Sequence, residues 1–294
     1  MADYVLSCCS TADVTREFLE QRDIAYVYFN YQLDGQTCKD DFGRTNSPSE
    51  LYAKMLAGAD AKTSQVSVGE YVEHFEKLLK EGKDVLHVTL SSGISGTYGS
   101  ACAAAQQLAE AYPDRKLVVV DSLCASAGYG LLMDKLSDLR AGGMGIDELA
   151  AWAEAHRLEV QHWFFSTDLT FFIRGGRISK AAGLVGGLLK ICPIMDVEPD
   201  GSLAVKEKIR NKKNAIKRDL EKMEELAAGG RAYAGKVFIS NSDCEEDARE
   251  VASQIEREFQ HIDGPVQIYQ IGATIGCHTG PGTVALFFWG KPRA

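Results

Sequence analysis

No apolar run in this chain approaches the ~20 residues needed to cross a bilayer, so no segment reads as a membrane-spanning helix. The opening residues, MADYVLSCCSTAD, lack the basic and apolar regions of a secretory signal. A cytoplasmic location is therefore expected. Positive charge is also in deficit, 32 Lys and Arg against 41 Asp and Glu giving a net charge of −9. That balance argues against a nucleic-acid partner, because phosphate contacts need clustered cations. The one basic stretch, residues 206–218, reads as a local patch for an acidic partner or phosphate, or as a solvated helix face. The eight cysteines include no CxxC pair. They are read as reduced thiols, mostly small buried hydrophobes, and no metal site is expected. There is no low-complexity tract and no internal repeat.

Three catalytic signatures are missing as well. A serine-hydrolase elbow needs G-x-S-x-G, but Thr97 stands where the last glycine of Gly93-Ile94-Ser95-Gly96 should follow. A P-loop needs Ser or Thr after its lysine, and Lys190 is followed by Ile191. No G-x-G-x-x-G follows a predicted strand, so a dinucleotide site has no support either. A hydrolase or transferase using Ser95 remains as the enzyme alternative. A regulatory module for another anionic amphiphile remains as the non-enzyme one.

What is present is an alternation of strands and helices over 294 residues, long enough for two domains. Residues 4–8, 85–90 and 117–120 read as strands, the last two apolar throughout, as in a parallel sheet covered on both faces. Helices are expected at 14–22, from Pro48, and from Ser67, where Ser67 and Glu70 form a capping box. Residues 25–33 and 36–38 flank Asp34-Gly35, a type I′ hairpin signal. Beyond residue 161 the character changes. A hairpin at 193–209 turns at 198–201, a charged helix covers 211–228, strands cover 236–240, 266–271 and 284–289, and a helix spans 245–261. The expectation is an α/β protein of two domains: residues 1–161 with a mostly parallel sheet, residues 162–294 α+β, and a ligand site between them.

Four polar, glycine-punctuated segments fall where strands end: TSQVS (63–67), SSGISGT (91–97), IRGGRIS (173–179) and GCHTGPGT (276–283). The second opens a helix, whose first turn has unpaired N–H groups and a partial positive charge that attract anions. Hydroxyl loops from one half with cations from the other would make an anion site. Each piece also has a plain reading. Thr63 and Ser64 can form a turn, Arg177 a surface ion pair, His278 a structural contact, and Asp121-Ser122 a loop and cap. The remaining signal is apolar: the stretch 178–195 and the pairs Phe164-Phe165, Phe171-Phe172 and Phe287-Phe288, which also suit ordinary core packing.

Taken in order, TSQVS, SSGISGTYGSA, RGGRIS and HTGPGT resemble the DegV family of bacterial fatty-acid-binding proteins over essentially the whole chain. SSGxSGT followed by GGRIS is the specific part. The resemblance implies a two-domain fold holding a long-chain fatty acid, roughly C14–C18, in an interior tunnel, with no other cofactor. Some members are similar to carrier subunits of fatty acid kinase, which present the acyl carboxylate to an ATP-using subunit. By that resemblance Thr63 and Ser95 bind the carboxylate and His278 completes or orients the network. Ser64, Ser92, Gly96 and Thr279 support it, while Arg177 and Arg210 lie near the mouth, facing phosphate or the kinase. No residue is implied to be catalytic, and transient contact with a membrane surface is allowed. Two positions depart from the family: Val66 replaces a usual Pro, which should be tolerated, and Ser7-Cys8-Cys9 replaces a usual Asp-Ser/Thr pair. Cys8 and Cys9 are assigned no site role.

Overall fold

The computed structural model describes residues 4–179 and 191–294. The first half runs β1 (Tyr4–Cys9), α1 (Arg16–Gln21), β2 (Ile24–Val27), β3 (Asn30–Leu33), β4 (Gln36–Lys39), α2 (Pro48–Leu56), β5 (Ala61–Ser64), α3 (Val68–Lys80), β6 (Asp84–Thr89), α4 (Thr97–Ala111), β7 (Leu117–Asp121), α5 (Ser126–Ala141) and α6 (Ile146–His156). The second runs β8 (Val160–Ser166), α7 (Thr170–Arg174), β9 (Ile191–Val197), β10 (Leu203–Arg210), α8 (Lys212–Leu226), β11 (Phe238–Asn241), α9 (Glu245–Glu258), β12 (Gln267–Gln270), α10 (Ala273–Thr279) and β13 (Thr283–Trp289).

The expected α/β architecture is observed. A parallel sheet of order β2-β1-β6-β7 forms from the first half, and a mixed sheet of order β10-β9-β8-β13-β11-β12 from the second. Strand β6 is buried along nearly its whole length, but its run is not apolar throughout: His87 and Thr89 are buried within it and His87 bonds to Ser7 Oγ at 2.9 Å. Helix α5 is buried from Ser126 to Asp134 and packs on β8, β11 and β13. A Cβ at Gly128 would lie 2.3 Å from His162 Nε2, so only glycine lets the helix approach β8 this closely. Asp134, on the same helix, ties the two halves: Arg22 and Lys236 both reach its carboxylate at 2.6 Å.

The structure departs from the sequence reading in three places. Residues 25–33 are not one strand: β2 pairs with β1, while β3 leaves to join a small antiparallel sheet of order β4-β3-β5. The crossing is fixed at Phe29, whose N–H donates to Ser10 Oγ at 3.1 Å. Strand β5 is not expected from sequence, because Ala61–Ser64 is polar and shows no apolar alternation; its backbone pairing with β3 defines it. Helix α10 falls where the sequence reads as loop. Its N-cap, Gly272, offers no side chain, and its first N–H groups are satisfied by carboxylates of the other half.

The basic stretch 206–218 is partly neutralised within the chain. Lys206 pairs with Glu198 at 2.6 Å, Lys212 with Asp247 at 2.7 Å, and Arg218 with Glu207 at 2.9 Å. Of the apolar stretch 178–195, residues 180–190 lie outside the described residues. Among the described residues, no helix is long and apolar enough to cross a membrane.

Candidate functional site

The site begins with two loops held by their own local chemistry. TSQVS runs from the end of β5 to the start of α3: Thr63 pairs with Tyr31 and Ser64 with Asn30 at the strand's end, and Ser67 caps α3 through the expected box with Glu70. SSGISGT follows β6. Ser91 Oγ donates to Gly201 O at 2.8 Å, which pins the loop onto the β9–β10 turn, and Ser92 N–H donates to Asp121 Oδ1 at 3.1 Å. Ser95 Oγ accepts the Thr97 N–H at 3.3 Å, so its own proton is left to donate elsewhere.

The second half brings two basic side chains to these loops. Arg177 donates through Nη1 to Gly175 O at 2.6 Å and through Nη2 to Ile94 O at 3.2 Å, which sets its guanidinium beside the Ser95 loop. Burial lowers its pKa. His278 Nε2 lies 2.7 Å from Thr63 Oγ1. Its Nδ1 is buried without a hydrogen-bond partner among the described residues and packs against Gly175. Burial first and the Arg177 cation second push His278 down to about 4, so the ring is neutral at pH 7.

These side chains share the wall of one cavity of about 240 Å³. A single water needs roughly 10–15 Å³ by the same measure, so this is no packing defect. Thr63, Ser95, Gly96, Arg177, His278 and Thr279 all line it. Ser64 and Ser92 are exposed and do not, and Arg210 stands exposed at the end of β10, also outside the lining. Most of the remaining wall is apolar, including Leu90, Ile94, Phe164, Phe172, Ile271 and Phe287. The Phe-Phe pairs on β8 and β13 resolve by strand alternation, and the pair on α7 by the two sides of the helix. Phe164, Phe172 and Phe287 face the cavity, Phe165 and Phe288 enter the core beneath α8 and α9, and Phe171 packs with Tyr31 and Tyr52.

Sequence reasoning missed Gln65, which lines the cavity, lies over Gly96 and donates through Nε2 to Ser100 Oγ at 2.8 Å. Its position within TSQVS was the available signal. His162, Ser126 and Thr283 also line the cavity. His162 accepts the Ala125 N–H at 3.2 Å, Ser126 Oγ donates to Asp13 at 2.6 Å, and Thr283 Oγ1 donates to Ser166 at 3.0 Å. Their polar groups are thus satisfied within the protein. No cluster of His, Cys, Asp and Glu able to hold a metal occurs among the described residues.

The profile of the family described as "uncharacterised protein, DegV family" matches residues 9–291. A DegV domain-containing protein of Clostridium perfringens is 34% identical over 293 residues, 100% of this chain and 99% of the relative. Among solved structures, a DegV lipid-binding protein of Thermotoga maritima has a TM-score of 0.85 at 27% identity, covering 100% of both chains. A second Thermotoga maritima protein, whose structure is described as revealing a fatty-acid-binding function, has a TM-score of 0.83 at 26% identity, covering 99% of this chain and 100% of that one. With the family profile matching residues 9–291 and a relative 34% identical over the full length, the chain belongs to the DegV family.

Proposed function

We propose that this protein binds a long-chain fatty acid, roughly C14–C18, and presents its carboxylate to a partner kinase. The observation that carries the reading is a cavity whose lining joins the hydroxyls of Thr63 and Ser95, the neutral imidazole of His278 and the Arg177 cation to a mainly aromatic and aliphatic remainder. Burying a sixteen-carbon chain yields ~0.8 kcal/mol per CH₂, on the order of 12 kcal/mol before association costs. A buried, unpaired carboxylate would cancel much of that gain. Thr63 and Ser95 supply neutral donors for it, Arg177 a charge-assisted one, and the tail supplies affinity. In this reading the hydroxyl loops belong to a domain of residues 1–161, while Arg177 and His278 come from a domain of residues 162–294.

The carrier role rests on the resemblance of the motifs to kinase carrier subunits. The partner would supply ATP; a carboxylate oxygen bonds to the γ-phosphorus and ADP leaves. Arg177 and Arg210 are the residues assigned to phosphate or to the partner surface. The site's hydrogen bonds do not favour the alternative that uses Ser95 as a nucleophile. His278 is hydrogen-bonded to Thr63, and Ser95 Oγ to a backbone N–H, so the two are not paired as base and nucleophile.

Oleate titration of the wild type and of Thr63→Ala/Ser95→Ala tests the head-group assignment. Each lost bond to a charged acceptor is worth about 1.5–3 kcal/mol, so the double variant should bind at least tenfold more weakly while remaining folded. Unchanged affinity would refute the assignment.

A further inference from the structure

A buried polar chain around Cys9 lies outside the head-group contacts yet leads to them. Tyr71 sits on the buried face of α3 with Phe75 and Leu79. Its ring stacks on Phe75 at 5.3 Å between centroids and meets His87 edge-on at 5.2 Å. Clamped in this way, the ring aims its hydroxyl at two buried partners, Thr97 Oγ1 at 2.7 Å and Cys9 Sγ at 3.3 Å. Thr97 is the first residue of α4, and its N–H is the donor that occupies Ser95 Oγ. Behind Cys9 the chain continues: His87 Nε2 is 3.7 Å from the sulfur, and Ser7 Oγ joins His87 Nδ1 at 2.9 Å and His74 Nε2 at 2.8 Å. Burial keeps the Cys9 thiol up at about 11 and holds His87 well below its ordinary value, so these groups are neutral at pH 7.

We propose that Tyr71 is a positioning residue for the carboxylate-binding hydroxyl of Ser95, acting through Thr97 and steadied on its other side by Cys9. This rests on the fatty-acid reading above. Ser95 Oγ carries one proton. While the Thr97 N–H fills one of its lone pairs, that proton is directed away from the helix start and can be donated to a carboxylate. The Tyr71 bond holds Thr97, and with it the first turn of α4, in the orientation that aims the N–H at Ser95. Without the phenol oxygen, the Thr97 hydroxyl becomes a buried group lacking its partner and must find another by moving. Cys9 is the second contact that keeps the Tyr71 hydroxyl at the helix start.

The test is a double-mutant cycle on oleate affinity with Tyr71→Phe, Ser95→Ala and the combination. Tyr71→Phe should weaken oleate binding about fivefold, the scale of one hydrogen bond. In the Ser95→Ala background the same substitution should change affinity by less than about twofold, because nothing remains to be positioned. A second pair reads the same link from the other end. Thr97→Val should reproduce the Tyr71→Phe loss and Thr97→Ser should restore affinity, and this pair decides the matter if Tyr71→Phe does not fold. Additive losses in the cycle, or equal losses for Thr97→Ser and Thr97→Val, would overturn the role of Tyr71. Failure of the wild type itself to bind oleate would instead remove the fatty-acid reading, and with it this one.

Discussion

His278 on α10 and Thr63 on β5 meet through a 2.7 Å hydrogen bond across 215 residues of sequence. The contact exists because the first half of the chain holds α10 by its start. Gly272 N–H donates to Asp13 Oδ1 at 3.0 Å, and the N–H groups of Ala273 and Thr274 each donate to Asp40 at 3.0 Å. Two buried carboxylates of one half thus fix the helix of the other that carries the imidazole to the hydroxyl loop.

Gly175 sets the other side of that imidazole. A Cβ there would lie 2.3 Å from His278 Nδ1 and 3.1 Å from Phe171 O. The backbone at Gly175 is right-handed helical, so alanine meets no conformational penalty and the effect is purely one of space. Gly175→Ala should displace His278, cost about 1–3 kcal/mol of stability and weaken oleate binding. Thermal unfolding and oleate titration together check both parts.

Arg177 should contribute through charge. Arg177→Met keeps much of the side-chain volume but removes the donors to Gly175 O and Ile94 O and the cation at the cavity wall. Oleate affinity should fall about tenfold at low salt. The remaining affinity should depend less on ionic strength than that of the wild type. A salt series on both proteins measures this.

The buried imidazole has a defined consequence for stability against pH. His278 is held down at about 4 in the folded chain, against about 6.5 when unfolded. Between those values the unfolded state binds the extra proton, so the contribution is intact above pH 6.5 and is lost as pH falls towards 4. Measured against His278→Gln, which does not titrate, the wild type should lose about 1–2 kcal/mol of relative stability between pH 7 and pH 5. Urea midpoints at the two pH values give the comparison.

Asp134 is a buried charge that joins the two halves. It is only 2% exposed and receives both Arg22 and Lys236. Asp134→Asn removes the buried carboxylate that Arg22 and Lys236 share; both cations are about a quarter exposed and Lys236 keeps Asp138 at 3.5 Å, so the cost should be about 1–3 kcal/mol. Because the cations come from opposite halves, calorimetry should show a lowered Tm for the whole molecule.

The features legible in sequence were those written in neighbouring residues. Asp34 and Gly35 take φ of 50° and 80°, as an I′ hairpin demands, and Ser67 and Glu70 close their capping box. Features built by distant partners were not. Strand β5 is recognisable only beside β3, and α10 only once Asp13 and Asp40 cap it. Phe164, Phe172 and Phe287 stand out as members of apolar pairs, but which ring of each pair faces the cavity depends on strand register and helix packing. Tyr71 and Cys9 gave no site signal at all, because their link to Ser95 passes through contacts between α3, β1 and the start of α4.

The most direct measurement is native mass spectrometry of the protein purified from bacteria, followed by identification of any released lipid. The expected result is one bound fatty acid per chain, roughly C14–C18 in length, displaced by excess oleate. A chain that emerges empty and also takes up no added oleate would contradict the account.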